Sequence, residues 1–333
     1  MRYKIILIIL FLVIITICLY FDHCLKRKQF NISQTIEIYI KPKSSFSEII
    51  RQLESQNLLS DPLICKIYFV ATGKHKMIKA GYYRFDRSLN ILEIADKLLK
   101  GEIVYYKITF PEGSNIFEIG KIIEDAKVIG YERFFQVINS VDVLMELKKI
   151  DNSLNSVEGY LFPETYYFAK GERLEELIKM MIKEFNRRNG ELLRKRSVEL
   201  GFNIHQIVTM ASLIEKESAN DEEKPLIASV FYNRLKRNMM LQCDPTVIYS
   251  HYLSGNVINI LTKDDLRIQS PYNTYQNIGL PPGPICNPGE KSLNAAMYPA
   301  KTDYLYFVSM RNGSHYFSKS LQEHLKAKAI YLN

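Results

Sequence analysis

The run Met210-Ala211-Ser212-Leu213-Ile214-Glu215-Lys216-Glu217-Ser218 ends an apolar helical pattern on two carboxylates. A carboxyl in such a place suits cleavage of a glycosidic bond, which begins with proton donation to the linking oxygen. Ile204, Ile207, Val208, Met210, Ala211 and Ile214 recur at helical spacing, so one face is core. At about 100° per residue, Glu215 and Glu217 stand roughly 200° apart and cannot both enter one cleft. Glu215 projects near the centre of the apolar arc, and Glu217 lies at its rim, where a carboxyl touches both core and cleft. Burial disfavours the charged form, and the negative end of the helix dipole acts in the same sense. A carboxyl so placed keeps its proton toward neutral pH and can act as a general acid. A solvated Glu-Lys-Glu turn fits the same residues, and the run alone does not choose between the two.

The elements that must position this helix are legible on both sides. Ile36 to Ile40 alternates like a strand and breaks at Lys41-Pro42. Ser44 or Ser45 opens a helix through Ile49, Ile50 and Leu53, and Ser60-Asp61-Pro62 starts another that runs to about Thr72-Gly73. Gly81 to Phe85 follows as a short strand, giving a β-α-α-β unit. A helix (Asn90 to Lys100), a strand (Val104 to Phe110) and a helix from Ser114 come next. Ile38 to Pro42 with Phe46 to Ile50 is echoed by Ile108 to Glu112 with Ile116 to Ile119, each reading as strand, Pro-bearing turn and helix. Glu158 to Tyr166 marks entry to a second unit, and a long charged helix (Leu174 to Leu193) precedes the glutamate helix. Asn220 to Glu223 caps the next helix, whose Pro225 is tolerated because it falls in the first turn. Beyond it the chain is loop-rich, in Ser270 to Tyr275 and in Gly279 to Gly289. The many Pro and Gly residues preset the backbone, as a ligand-holding surface or as a plain connector.

The 333-residue chain has room for a membrane segment and two folded units, and its 47% hydrophobic and 24% charged residues are those of a globular protein. The formal charge of +8 is spread along the chain without a nucleic-acid motif, and suits an anionic membrane or wall polymer instead. Five cysteines (Cys18, Cys24, Cys65, Cys243, Cys286) lack metal-ligand spacing and form no disulfide framework. With no Trp, any sugar-stacking platform must come from the 22 Tyr or 17 Phe residues. Ile5 to Phe21 carries no charge and as a helix spans roughly 25 Å, enough for a bilayer core. Its end lacks the small residues of a signal-peptide cleavage site and the run lacks a lipoprotein box, which favours an uncleaved anchor. Arg2 and Lys4 on one flank nearly balance Lys26, Arg27 and Lys28 on the other, so charge does not set the orientation.

Seven stretches in this order resemble the YceG-like family of endolytic murein transglycosylases. They are Glu158 to Tyr166, Ala211 to Ser218, Ala228 to Leu235, Leu241 to Tyr249, Tyr272 to Tyr275, Gly279 to Gly289 and Tyr304 to Val308. The resemblance runs from about position 36 to the end. It implies an α+β fold: an N-terminal transmembrane helix, a small LysM-like β-α-α-β module, then a mainly helical lysozyme-like catalytic domain with loop-rich and β segments. The expected division is a short tail (1–4), anchor (5–21), juxtamembrane linker (22–35), LysM-like module (36–110) and catalytic domain (111–333). It further implies a single-pass protein of the cytoplasmic membrane with its catalytic domain outside the cytoplasm. Its partners are peptidoglycan glycan strands and the membrane, with peptidoglycan synthases as further candidates; neither nucleic acid, cofactor nor metal is expected.

By the same resemblance Glu217, the second glutamate, is the catalytic acid, and the following Ser218 is similar to the Glu-Ser signature of other lytic transglycosylases. One carboxyl then serves twice, first protonating the MurNAc-GlcNAc linkage and then taking the proton of the sugar's own C6 hydroxyl to close a 1,6-anhydro end. Glu215 is given a supporting role, or stands as a satisfied buried carboxyl paired with a basic residue such as Arg234. Asn233 is a candidate for substrate binding, and Gln242, Asp244 and Thr246 are candidates for N-acetyl binding or for bracing the cleft, with Asp244 before Pro245 also an ordinary turn former. Tyr272 and Tyr275 are expected to stack on sugars and Asn273 to recognise an amide. Cys243 departs from the family, which usually has a small hydroxyl residue there. His315 and His324 read as structural or surface residues. The competing functions are a non-catalytic wall-binding or division scaffold, a hydrolytic muramidase and a small-molecule lyase, the last lacking any nominated pyridoxal-binding lysine.

Overall fold

A computed structural model describes residues 2–28, 34–218, 220–258 and 260–332. The chain divides into two compact units, residues 1–106 with 167–172, and residues 107–166 with 173–333. The first unit opens with α1 (Arg2–Lys26), which extends past the expected end at Phe21 by more than a turn. This helix is long and apolar enough to cross a membrane. Its last turns bury Cys24 and Leu25, and Phe21 packs on the apolar cluster of the unit. Residues 22–26 of the expected linker are therefore helical, while 29–33 lie outside the described residues.

β1 (Thr35–Ile40), α2 (Phe46–Ser55), α3 (Pro62–Ala71) and β2 (Gly81–Asp86) follow in the β-α-α-β order expected. β1 and β2 pair antiparallel, from Thr35 opposite Asp86 to Ile40 opposite Gly81. Alternation explains the faces: Ile38, Ile40, Tyr83 and Phe85 enter the core with Ile49, Leu53 and Phe69. On the other face Tyr39 stacks on Tyr82 at 4.5 Å. α4 (Ile91–Lys100) closes this core with Ile94 and Leu98. Capping boxes start α2 (Ser45 with Glu48) and α4 (Asn90 with Glu93), each satisfying orphan helix donors reciprocally.

β3 (Tyr105–Thr109) leads to α5 (Ile116–Asp125), opened by a capping box of Asn115 and Glu118. The echo between the two strand-turn-helix passages is thus structural, with a capping box opening the helix both times. α6 (Tyr131–Ile138), α7 (Val141–Leu147) and β4 (Thr165–Ala169), the partner of β3, precede α8 (Leu174–Leu200). The last is longer than its apolar pattern and ends where Gly201 takes the left-handed conformation. α9 (Ile204–Glu217), α10 (Lys224–Lys236), α11 (Asp244–Leu253) and α12 (Glu290–Met297) come next. The chain ends in an antiparallel hairpin, β5 (Tyr306–Ser309) with β6 (His315–Ser318), and in α13 (Leu321–Tyr331), which packs on it. α9 packs against α8, α10, α11 and α12 and is buried from Ile207 to Ile214, so it is the central helix of the second unit.

Candidate active site

α9 begins with Asn203, whose side chain accepts from the Gln206 N–H at 2.8 Å while Gln206 accepts from the Asn203 N–H at 2.9 Å. It ends at Glu217 because Ser218 turns extended, and the Ser218 hydroxyl donates to the Asn220 carbonyl at 2.6 Å. The Gly279–Gly289 loop lies along this helix rather than facing outward. His205 Nε2 is 3.0 Å from the Pro282 carbonyl, the Ile285 N–H donates to Ser212 Oγ at 3.1 Å, and the Gly289 N–H donates to Glu215 at 2.9 Å. Residues 283–289 are buried. Residues 283–289 splint the helix that carries the glutamates, while Gly279 to Pro282 line a separate cavity with His205 and Thr209.

Glu215 and Glu217 diverge as the helical angle requires. Glu215 is nearly buried (9% of its side chain exposed) and lies 3.6 Å from Lys224 Nζ, which is itself buried and pairs with Asp221 at 2.7 Å. Its basic partner is therefore Lys224 and not Arg234. With Gly289 it ties the last turn of α9 to the loop and to α10.

Glu217 lies half-buried on a cleft of about 400 Å³. Burial pushes its carboxyl up to about 7, the negative charge of Asp244 acts in the same sense, and the Cys243 thiol and Arg234 guanidinium oppose them. Gln242, Asp244 and Tyr275 share the cleft. Gln242 is held in the left-handed region (φ 52°) by its N–H to the Thr274 carbonyl at 3.1 Å, a conformation that costs a non-glycine residue about 1–2 kcal/mol. Asp244 opens α11 and accepts from the Tyr275 hydroxyl. Tyr275 is therefore a hydrogen-bond donor within the cleft as well as a ring.

The remaining expected contacts stand elsewhere. The Thr246 hydroxyl is fully buried, donates to the Cys243 carbonyl at 2.6 Å and meets Thr274 Oγ1 at 2.9 Å. Asn273 is buried too, with its amide nitrogen on the Leu266 and Ile268 carbonyls at 3.0 and 2.9 Å and its oxygen on the Tyr275 N–H. Both brace the loop behind the cleft and present no free polar edge to a sugar. Asn233 donates to the Thr302 and Tyr304 carbonyls at 2.8 and 3.0 Å and lines a separate cavity with Arg196 and Tyr298. Tyr272 packs on Tyr249, ring centroids 5.1 Å apart, away from the residues that line the cleft.

Four contributors have no local signal in the sequence. Arg234 on α10 is buried and donates to the Leu305, Met240 and Leu241 carbonyls at 2.7, 3.2 and 2.8 Å. Its positive charge thereby stays close to Glu217, and among the described residues no carboxylate forms an ion pair with it. Phe307 from β5 and His324 and Lys328 from α13 supply the far wall. His324 is thus no plain surface residue: it stacks on Tyr306 at 5.2 Å, and burial with the nearby Lys328 and Arg234 charges holds its pKa below the usual histidine value. A helix with an exposed apolar pattern gives no hint that its imidazole lines the same cleft as a carboxyl so far back in the chain.

The YceG-like family model matches residues 38–330. The protein named endolytic murein transglycosylase of Bacillus subtilis (strain 168) is 38% identical over 312 residues, covering 90% of this chain and 85% of that one. The one of the same name from Streptococcus pneumoniae (strain ATCC BAA-255 / R6) is 31% identical over 91% of this chain, which spans only 59% of that longer relative. The crystal structure of a yceG-like protein of Listeria monocytogenes superposes with a TM-score of 0.60 at 34% identity, over 89% of this chain and all of that one. Family model, relatives and solved structure agree along nearly the whole chain, and the chain belongs to the YceG-like family.

Proposed function

We propose that this chain is an endolytic murein transglycosylase in which Glu217 acts first as acid and then as base. The observation that carries the reading is the half-buried Glu217 carboxyl on its cleft, proton-bearing up to about pH 7. The similarity to proteins named endolytic murein transglycosylase supports the same chemistry. Glu217 gives its proton to the oxygen between C1 of N-acetylmuramic acid and N-acetylglucosamine; the C1–O bond breaks and the leaving sugar departs as an alcohol. The substrate's N-acetyl oxygen takes up the positive charge at C1. The Glu217 carboxylate then removes the C6 hydroxyl proton, O6 bonds to C1, and the 1,6-anhydro end forms with the carboxyl reprotonated. The Asp244 carboxylate, held by Tyr275, offers electrostatic stabilisation as charge develops.

The β-α-α-β order with its antiparallel β1–β2 pair supports reading the first unit as a LysM-like module, and the helical second unit as lysozyme-like. α1 would hold both at the extracytoplasmic face, where cuts within nascent strands end their elongation. A hydrolytic outcome rests on one observation, the second carboxylate of Asp244 on the same cleft. Digestion of purified glycan strands by the detergent-solubilised full chain, followed by mass spectrometry of the ends, decides between them. Anhydro ends from the native chain and none from Glu217→Gln are expected. Reducing ends, heavier by one water, would replace this reading with a muramidase, and cutting by Glu217→Gln would remove Glu217 from the chemistry.

A further inference from the structure

An aromatic trough of about 1150 Å³, more spacious than the Glu217 cleft of about 400 Å³, lies at the other end of α11. Phe117 and Tyr252 lie parallel at 5.5 Å, and Phe135 completes the floor 5.6 Å from Phe117. Tyr131 stands edge-on to Phe135 at 5.0 Å. All four rings are half-buried, so each keeps a face or an edge toward the groove, and Glu132 and Arg133 stand exposed at its rim. Aromatic faces carry negative charge density that attracts the C–H edges of a pyranose, and charged rim groups bond its hydroxyls.

We propose that this trough is a distal glycan-binding site that holds the murein strand several sugars away from the bond cut at Glu217, resting on the transglycosylase reading above. Its place on the same helix as the cleft supports it. Asp244 opens α11 on the cleft, and Tyr252 lies near its other end in the trough. Eight residues of helix separate them by about 12 Å, a distance that a short run of sugar rings spans. An enzyme that cuts inside a strand must grip the polymer beyond the two sugars of the scissile bond. Among the described residues the cleft itself offers Tyr275, Phe307 and the His324 imidazole as rings, and the Tyr275 hydroxyl is occupied by Asp244. In a chain without Trp, a four-ring trough of Phe and Tyr supplies a stacking surface from the residue types the composition leaves for one.

The absence of Trp also supplies the test. Tyr252→Trp, made in the full chain with Glu217→Gln, places a single tryptophan in the trough, excited selectively over the tyrosines at long wavelength. Its emission is expected to shift on titration with uncross-linked murein glycan strands and to stay fixed with vesicles of anionic phospholipid. In a chain with Glu217 intact, Tyr131→Ala with Tyr252→Ala is expected to lower kcat/KM on long strands relative to short murein fragments at least tenfold, and Tyr252→Phe to restore most of that ratio. An emission change with lipid and none with glycan overturns the proposal, as does an unchanged long-to-short ratio in a variant that unfolds at the native temperature. Failure of the transglycosylase reading is separable, because it would show as missing turnover in the native chain or as cutting by Glu217→Gln.

Discussion

Ser212 and Ile285 set the register between the central helix and the proline-rich loop: the buried Ser212 hydroxyl accepts from the Ile285 N–H at 3.1 Å and donates to the Thr209 carbonyl at 2.7 Å. The glutamates sit one turn further along the same helix, so this bond helps to fix where they point. Ser212→Ala leaves a buried N–H without its acceptor, a loss of about 1–3 kcal/mol. A lower urea midpoint is expected, together with a fall in kcat larger than any change in KM. Equal stability of the two proteins would contradict this role.

Acidity of Glu217 makes two pH predictions. Because the free enzyme must bear the proton, kcat/KM falls as pH rises through about 7. For stability the sign runs the same way: the folded-state pKa lies above the ordinary value of 4.5, so the contribution is full below about 4.5 and lost as pH climbs through about 7. Glu217→Gln removes that loss, and at pH 8 it should unfold at a higher temperature than the native chain, by the equivalent of about 2 kcal/mol after discounting for partial exposure. Paired thermal melts at pH 5 and pH 8 check it: the gap must open only at the higher pH.

Two charges on the cleft move that acidity in opposite directions. Asp244 raises the Glu217 pKa and Arg234 lowers it. Asp244→Asn should shift the alkaline limb of the rate profile to lower pH, and Arg234→Met should shift it to higher pH. The latter also strands three backbone carbonyls and unfolds more readily, so its rates are compared below its own melting range. Shifts of the same sign in both variants would refute this electrostatic account.

Gly159 adopts a left-handed backbone (φ 88°), and a Cβ there would meet Pro284 at 2.5 Å and Val208 at 2.9 Å. Its neighbour Glu158 is fully buried, accepting from the Ile116 N–H and the Tyr249 hydroxyl at 3.0 Å each and from the Asn287 amide at 3.2 Å. This corner therefore joins α5, α11, the loop and α9. Gly159→Ala combines backbone strain with overpacking and should cost about 3 kcal/mol. Chemical denaturation measures it; a cost below about 1 kcal/mol would mean that the loop yields.

Much of the first unit was readable in advance because its determinants are local. Ser45 with Glu48 and Asn90 with Glu93 lie within one turn of the helices they start, and the alternation of Ile36 to Ile40 declares a buried face without reference to any partner. The glutamate helix was readable for the same reason, as was the divergence of Glu215 and Glu217, which follows from helical pitch. The loop-rich segment was not. Pro and Gly content preset its backbone but could not tell that residues 283–289 would be buried along α9. Nor could residue type show that Asn233, Thr246 and Asn273 would spend their polar atoms on backbone and hydroxyl partners.

By itself, then, the sequence determined the apolar N-terminal helix, the β-α-α-β order, and a helix ending in two carboxylates of which one lies at the rim. Tertiary structure alone decided that Lys224 and not Arg234 pairs with Glu215, that Arg234 and His324 share the cleft of Glu217, and that Phe117, Tyr131, Phe135 and Tyr252 meet in one trough. The reason is range. Periodicity and capping act over a turn or two of chain, whereas burial and the charges around a carboxyl are set by whichever distant segments pack beside it.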